Sequence, residues 1–479
     1  MKYVLLTVLA LILLLLAIII IRTLSFKPKK TGEFSAEEVA FDKQKAVDSL
    51  RELVRCKTVS FYTREQEEEA EFDKLVSLLP QLFPNVFKAC EFIKLEERGL
   101  LLKWQGESDK NPSVMMSHYD VVPADEKNWS KPAFEGVIEN GVLWGRGTLD
   151  TKVTMNAALS AAETLIADGF VPKNDVYFAF SGNEEVNGLG AVKIVEYFEQ
   201  NSVTPALVLD EGGAVVENVF PGVTKPSAMI GIAEKGMVDV LYKTVSSGGH
   251  ASAPKPNTPI DILAKACLKI KANPFKAHLT KPVAQMFDTL GRHSSFLYRM
   301  IFANLWCFSG LLDIICKKSG GEINALMRTT VAFTRMQGSK TNNVIPTEAT
   351  MVSNIRLNPE DTVDSALEYL KKSVDNPLVE IIKIQGTNPS RISKTYCDAY
   401  NKVAYAVSST WKGAITTPYL MVQCSDSRHY GRISDKVYRF SAMDLTSEER
   451  ASIHGNDEGI RLETIEKSVE FYIRLLKQC

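Results

Sequence analysis

Apolar positions along this chain begin as one unbroken run and then settle into alternating strand and helix periods. Across residues 4–21 only Thr7 is polar. At about 1.5 Å per residue a helix of that length reaches roughly 27 Å, close to the thickness of a bilayer's hydrocarbon core. A cleavable signal has a shorter apolar stretch and small residues before its cut, whereas Ile18-Ile19-Ile20-Ile21 runs straight into Arg22. The pattern therefore predicts an uncleaved, single-pass anchor over residues 1–22 and a polar, basic linker over 23–36. Arg22, Lys27, Lys29 and Lys30 outnumber Lys2 and the amino terminus, a bias that by the positive-inside tendency favours a cytoplasmic position for the globular part of the chain.

From about Glu37 the pattern turns globular. Helices are predicted over 41–53 and 66–79, and the short apolar runs Val114-Met115-Met116, Val176-Tyr177-Phe178-Ala179-Phe180 and Ala206-Leu207-Val208-Leu209 read as strands. A helix over 153–168 stops at Gly169, so Asp150 lies just before a helix. This alternation predicts an α/β catalytic domain with a central, mostly parallel sheet, built from residues 37–235 and 387–479.

The intervening stretch has its own order. A strand at 237–245, a helix at 259–272, strands at 326–335 and 349–357, a helix at 363–374 and a strand at 379–385 spell β-α-β-β-α-β, the split βαβ sandwich. Residues 236–386 are thus predicted to be an inserted domain. Within it the aromatic, apolar stretch 296–315 is interrupted by Arg299, Asn304 and Ser309-Gly310, which favours a buried or interfacial helix pair over a second membrane span.

Composition narrows the classes. The 479 residues, 45% hydrophobic and 24% charged, suffice for two or three domains. A net charge of -1 offers no electrostatic reason to expect nucleic acid. The eight cysteines form no CxxC pair and no disulfide framework.

The chemistry lies at the ends of the predicted strands, where open α/β sheets gather their ligands. Ser117-His118-Tyr119-Asp120, Thr148-Leu149-Asp150, Asn183-Glu184-Glu185, Leu209-Asp210-Glu211 and Ile453-His454-Gly455 each carry a side chain suited to metal binding. Imidazole nitrogens and carboxylate oxygens bind hard or borderline divalent ions, and one carboxylate can bridge two ions about 3.5–4 Å apart. Two histidines with several acids can fill two ion sites and leave a carboxylate over as a base. The neighbours Glu184 and Glu185 suit that division, because adjacent residues past a strand end point in different directions. Gly145-Arg146-Gly147 lacks the Lys-Ser/Thr ending of a phosphate loop and reads as a turn.

Those segments, with Val121-Val122-Pro123, Thr151-Lys152, Gly212-Gly213 and Gly248-Gly249-His250-Ala251-Ser252-Ala253-Pro254, closely resemble the M20 family of metallopeptidases over nearly everything after the anchor. Within it the chain looks most like the subgroup of carboxypeptidase S and the N-fatty-acyl-amino-acid synthase/hydrolases. The resemblance implies two Zn2+ ions, with Co2+ or Mn2+ able to occupy such sites. By it Asp150 is the bridging carboxylate, Glu185 and His454 complete one ion site, and His118 and Asp210 complete the other. Glu184 is then the general base and Asp120 fixes the His118 tautomer. His250 stabilises the oxyanion, from the partner subunit in dimeric relatives, so a homodimer through the lid domain is implied. Asn343, Arg356 and Arg428 match residues that contact substrate. Glu211 reads as a surface or hydrogen-bonding acid. The turn Gln423-Cys424-Ser425-Asp426 departs from the glycine-rich turn common in relatives.

The expected function is hydrolysis of an amide next to a free carboxylate, of carboxypeptidase or dipeptidase type, on a peptide substrate. The alternative is an N-acyl-amino-acid amidohydrolase or synthase, which shares every catalytic residue. A membrane-tethered binding protein of the same fold is the non-enzymatic alternative, against which the retained Glu184 argues. Because relatives act in lumens or outside cells, an extracytoplasmic catalytic domain on a membrane anchor is expected, against the local charge bias.

Overall fold

The computed structural model describes residues 1–29, 38–218 and 220–479, so most of the expected linker, Lys30 included, lies outside the described residues. Six strands of the large sheet come first: β1 (Glu91–Lys94), β2 (Leu100–Trp104), β3 (Ser113–His118), β4 (Val176–Ser181), β5 (Leu207–Val216) and β6 (Ser227–Glu234). Four more, β7 (Gly236–Val245), β8 (Thr330–Gln337), β9 (Glu348–Leu357) and β10 (Glu380–Thr387), intervene before β11 (Ile415–Met421) and β12 (Val437–Leu445).

The large sheet has the order β1-β2-β4-β3-β5-β12-β6-β11. Its middle strands β4, β3, β5 and β12 run parallel, as do β6 and β11, while β1, β2 and the β12–β6 contact are antiparallel. β3 and β4 are buried along their whole length, the condition that turns strands into continuous apolar runs instead of alternating ones. Successive side chains leave a strand on opposite faces. Accordingly Met115, Phe178 and Leu209 join the core beneath helices Lys152–Ala167 and Leu462–Leu476, and Val114, Tyr177 and Val208 join that beneath Gly190–Gln200. The expected α/β architecture is therefore present, with the catalytic strand ends at one edge of a sheet covered on both faces.

β7 to β10 form a separate antiparallel sheet of order β8-β9-β7-β10. Val238, Val240 and Tyr242 of β7 pack with helices Pro259–Ala272 and Val363–Val374. Both helices open with reciprocal capping boxes, Thr258 with Asp261 and Thr362 with Ser365, which satisfy amide donors that would otherwise be orphaned. The strand expected from residue 326 instead begins at Thr330, after a short helix Gly321–Met327. The cause is Arg328, whose buried guanidinium binds Phe275 O, Asn324 Oδ1 and Asp313 and so ends the helix inside the protein.

Lys2–Ser25 is one helix, long and apolar enough to cross a membrane, a test that a signal sequence also passes. Helices Phe296–Ala303 and Leu305–Ser319 meet at Asn304 with a bend of 113°. Asn304 is fully buried, and its amide donates to Met300 O, Ile19 O and Thr23 Oγ1.

Candidate metal centre

β3 ends on His118, a turn after β4 carries Glu184 and Glu185, and Asp150 precedes helix Lys152–Ala167 through a cis Asp150–Thr151 peptide. His118 is held from behind: its Nδ1 lies 3.0 Å from Asp120 O and 3.3 Å from Asp120 Oδ1. With Nδ1 carrying the proton, Nε2 presents its lone pair forward, the arrangement a ligating imidazole requires. In front of Nε2 are Asp150 Oδ1 at 3.0 Å and Glu211 Oε1 at 3.4 Å. The second oxygen of Asp150 lies 3.0 Å from His454 Nε2, which is 3.2 Å from Glu185 Oε2. Asp150 thus stands between two histidines, each with a further carboxylate. Donor atoms of His118, Asp150 and Glu185 fall within 4.8 Å of one another, as do those of His118, Glu184 and Glu211.

The structure places Asp210 and Glu211 differently with respect to His118. Asp210, expected to ligate, turns away and accepts a hydrogen bond from Ser427 N at 2.9 Å. Glu211, expected to be a surface or hydrogen-bonding acid, is the one facing His118. The two adjacent side chains leave the strand in opposite directions, and it is the Glu211 carboxylate that lies beside His118. Asp120 also does more than fix an imidazole: its fully buried carboxylate accepts from Glu184 N and Glu185 N, each at 3.1 Å, and from Ser60 Oγ. One acid thereby sets the position of the histidine and of both glutamates.

Glu458 has no counterpart in the sequence reading. Fully buried, it accepts from Gly147 N at 3.1 Å, Leu149 N at 2.7 Å and Asp150 N at 3.2 Å, and pairs with Arg146 Nη1 at 2.6 Å. Arg146 in turn donates to Gly455 O at 2.8 Å, beside His454. The loop of Asp150 and the loop of His454 are therefore clamped together. Gly145 is part of the clamp, since a Cβ there would lie 2.4 Å from Val54 Cγ1. His454 itself has φ +59°, a left-handed conformation uncommon outside glycine.

The four remaining expected residues divide. Arg428 is drawn in: burial disfavours its charge, but Asp426, Glu234 and Glu184 outweigh that and raise its pKa. Arg356, from β9, places Nη1 3.4 Å from Cys424 Sγ on the cavity wall. His250 and Asn343 do not line that cavity. They sit together on an exposed two-stranded ribbon, where Ala251 N donates to Asn343 O and His250 Nδ1 lies 2.7 Å from Ser252 Oγ.

The electrostatics are those of a site short of positive charge. Burial pushes Glu184 well above the carboxylate range, with Asp426, Glu211 and Glu185 adding to it and His118 opposing. Burial likewise pushes Glu211 up to about 8. Hydrogen bonds donated to the Asp150 and Glu185 carboxylates raise His454 to about 10. For His118, burial favours the neutral ring but is overcome by Glu211, Asp120 and Asp150. Oε1 of Glu185 is buried without a hydrogen-bond partner among the described residues. A crowd of desolvated carboxylates with two imidazoles and an unsatisfied oxygen fits divalent cations, which replace the protons such groups otherwise hold.

A cavity of about 800 Å³ adjoins the cluster. Asp150, Glu184, Glu185, Glu211 and His454 line it together with the apolar Val216, Met229, Met421, Met443, Leu445 and Ile453.

Known proteins resemble the chain over most of its length. Residues 114–478 match the model of peptidase family M20/M25/M40. A probable carboxypeptidase S-like protein 2 of Dictyostelium discoideum is 33% identical over 436 residues, covering 89% of this chain and 84% of its own length. An N-fatty-acyl-amino acid synthase/hydrolase of Xenopus tropicalis is 34% identical over 478 residues, covering 97% and 92%. In fold, the M20 family metallo-carboxypeptidase Sso-CP2 of Sulfolobus solfataricus superposes with a TM-score of 0.67 at 18% identity, covering 90% of this chain and 98% of its own. The chain belongs to peptidase family M20/M25/M40 and is a hydrolase.

Proposed function

We propose that this protein hydrolyses the amide bond of N-acyl amino acids, and can run the reverse condensation, at a site holding two zinc ions. The carrying observation is the apolar cavity of about 800 Å³ that shares its wall with the carboxylate cluster. It has room for a hydrocarbon acyl group, and the Xenopus relative has a matching name. Asp150 would be shared by the two ion sites, His454 and Glu185 would help to hold one ion, and His118 and Glu211, in place of the expected Asp210, would help to hold the other. Bound there, the ions polarise a carbonyl and lower the pKa of a water toward about 7.

The remaining steps belong to side chains. Glu184 takes the proton of the attacking water and returns it to the leaving amine, and the burial that raises its pKa suits both halves of that exchange. Arg428 and Arg356 carry the charge to engage the free carboxylate beside the scissile amide. His250, with Asn343, supplies the oxyanion donor from the lid domain (236–386) of a second copy, which accounts for their exposure away from the cavity within one chain. Residues 1–22 anchor the protein in a membrane, with the catalytic unit outside the cytoplasm.

Carboxypeptidase action on peptides is the second reading, favoured by the Dictyostelium relative. A panel of dipeptides and N-acyl amino acids of increasing chain length, with Glu184→Gln as control, separates them. Turnover rising with acyl length supports the first reading. Turnover confined to dipeptides sinks it, and full activity in Glu184→Gln removes the base assignment.

A further inference from the structure

We propose that the bent helix pair Phe296–Ala303 and Leu305–Ser319 is a membrane-interface element that seats the catalytic unit on the bilayer beside the anchor. The proposal rests on the reading of Lys2–Ser25 as a membrane anchor.

Two observations point to a lipid surface. First, the pair exposes large apolar side chains on its outer side while its inner side is packed. Phe302 stacks on Phe220 and Phe287, and Leu312 and Cys316 are buried in the same core. Outward, Phe296, Leu297, Trp306, Leu311, Ile314 and Ile315 are exposed. On the longer helix Leu311, Ile314 and Ile315 share the stripe of Cys307 and Lys318 at spacings of three, four and seven residues, one face of a helix. Contiguous exposed apolar surface of this kind marks a binding face.

Second, the pair is fixed at the level where a bilayer ends. Its hinge residue Asn304 donates to Ile19 O and Thr23 Oγ1, and Arg22 donates to Ala303 O. Residues 19–23 are the last turns of a run whose roughly 27 Å matches a hydrocarbon core. A group held against them lies at the boundary of acyl chains and headgroups. Arg22, Lys27 and Lys29 follow the apolar run directly, where charged side chains reach the headgroup region. Phe26 is covered by the Arg292 guanidinium at 4.2 Å, tying the anchor's exit to the catalytic unit.

The pair does not cross the membrane. Fifteen residues reach only about 22 Å, and Asp313 is bonded to the buried Arg328. Lying in the interface with one face immersed about 5–10 Å is the remaining geometry. Helix Gly321–Met327, next in the chain, supplies Gly321, Glu322 and Ala325 to the wall of the site cavity, so the bilayer and the acyl-sized cavity are separated by one short helix. A lipophilic N-acyl substrate dissolved in the membrane would be presented at that wall.

Trp306 makes the test direct. Among the five tryptophans it is the exposed one, at 57%, and the anchor contains none. The full-length protein is reconstituted in vesicles containing lipids brominated in the acyl chain near the headgroup, and its tryptophan emission compared with that of Trp306→Phe. The expected result is strong quenching in the wild type that falls to near background in Trp306→Phe, and that is lost in Ile314→Asp/Ile315→Asp while flotation with vesicles persists. Flotation without Trp306-dependent quenching overturns the interface role and leaves the anchor standing. A blue-shifted but unquenched Trp306 also overturns it, in favour of burial by a second copy. Failure to float overturns both, and hydrolysis of a soluble short-chain N-acyl amino acid reports on the proposed reaction independently of either.

Discussion

Replacing Glu458 with glutamine tests whether the site depends on the buried clamp that joins its two loops. The carboxylate's Oε1 accepts from three backbone amides of the Asp150 loop at 2.7–3.2 Å, and Oε2 receives Arg146 Nη1 at 2.6 Å. In Glu458→Gln the amide oxygen can serve only one of these groups of donors, and its NH2 then confronts the other donor to donor. With Arg146 buried to 2% exposure, breaking the pair from one side leaves an uncompensated interior charge, worth about 3–5 kcal/mol. The loop displacement should also weaken metal binding about 10–100-fold, the usual effect of losing a partner behind the ligands. Denaturant unfolding of detergent-solubilised protein measures the first, and zinc titration of the folded variant against a competing chelator measures the second. Arg146→Met combined with Glu458→Gln should be less destabilised than the sum of the single variants, because the two losses are one interaction. Wild-type unfolding together with wild-type zinc affinity in Glu458→Gln would refute the clamp.

The strand-parity assignment is tested by the pair Glu211→Gln and Asp210→Asn. Mass spectrometry under native conditions should find one zinc fewer in Glu211→Gln and turnover reduced at least 100-fold, while Asp210→Asn retains two ions; the opposite pattern restores Asp210 as ligand. A pH effect arises from Lys235, buried at the junction of the two sheets with Nζ donating to Ala325 O and Arg328 O at 2.8 Å each. Burial and the nearby Arg356 lower its pKa from 10.5 to about 7, with Asp361 opposing. Between those values the unfolded chain holds the proton that the folded chain has released, so stability rises with pH by at most about 1.4 kcal/mol per unit. Lys235→Met should lack this component. Unfolding curves at pH 7, 8.5 and 10 that rise equally in both proteins rule it out.

How far the sequence carries can be judged residue by residue. Uninterrupted apolar runs announced β3 and β4 because both their faces are covered, and Gly169 marked the end of the helix after Asp150, which closes at Ala167. The helix expected over 363–374 forms with those bounds, and the Thr362 side chain caps it. His118, Asp150, Glu184, Glu185 and His454 were legible because each lies just past a strand or a glycine turn, and the fold brings their donor atoms together. Which of Asp210 and Glu211 faces His118 was not legible, since it depends on which side of β5 faces the cluster and the two residues have the same chemistry. Glu458 was hidden for another reason: its partners are backbone amides and Arg146, 312 positions away in sequence, and no local pattern distinguishes a fully buried acid from a solvated one.

The same contrast explains where specificity resides. The proposed ligands and base lie at or near strand ends, so their spacing is constrained and readable. The cavity proposed to receive the rest of the substrate is walled by side chains from β5, β6, β11, β12, helix Gly321–Met327 and the turn of Cys424, elements from distant parts of the chain. Each contributes an apolar residue that, in sequence, is indistinguishable from core. Gly213 shows how tightly that wall is drawn, because a Cβ there would lie 1.7 Å from Met229 O. Any side chain at this position must displace β6 and the Met229 that lines the cavity. The shape of the cavity therefore depends on the backbone approach between β5 and β6 as well as on the identity of its lining residues, while Asp120 and Glu458 hold the charged groups beside it in place.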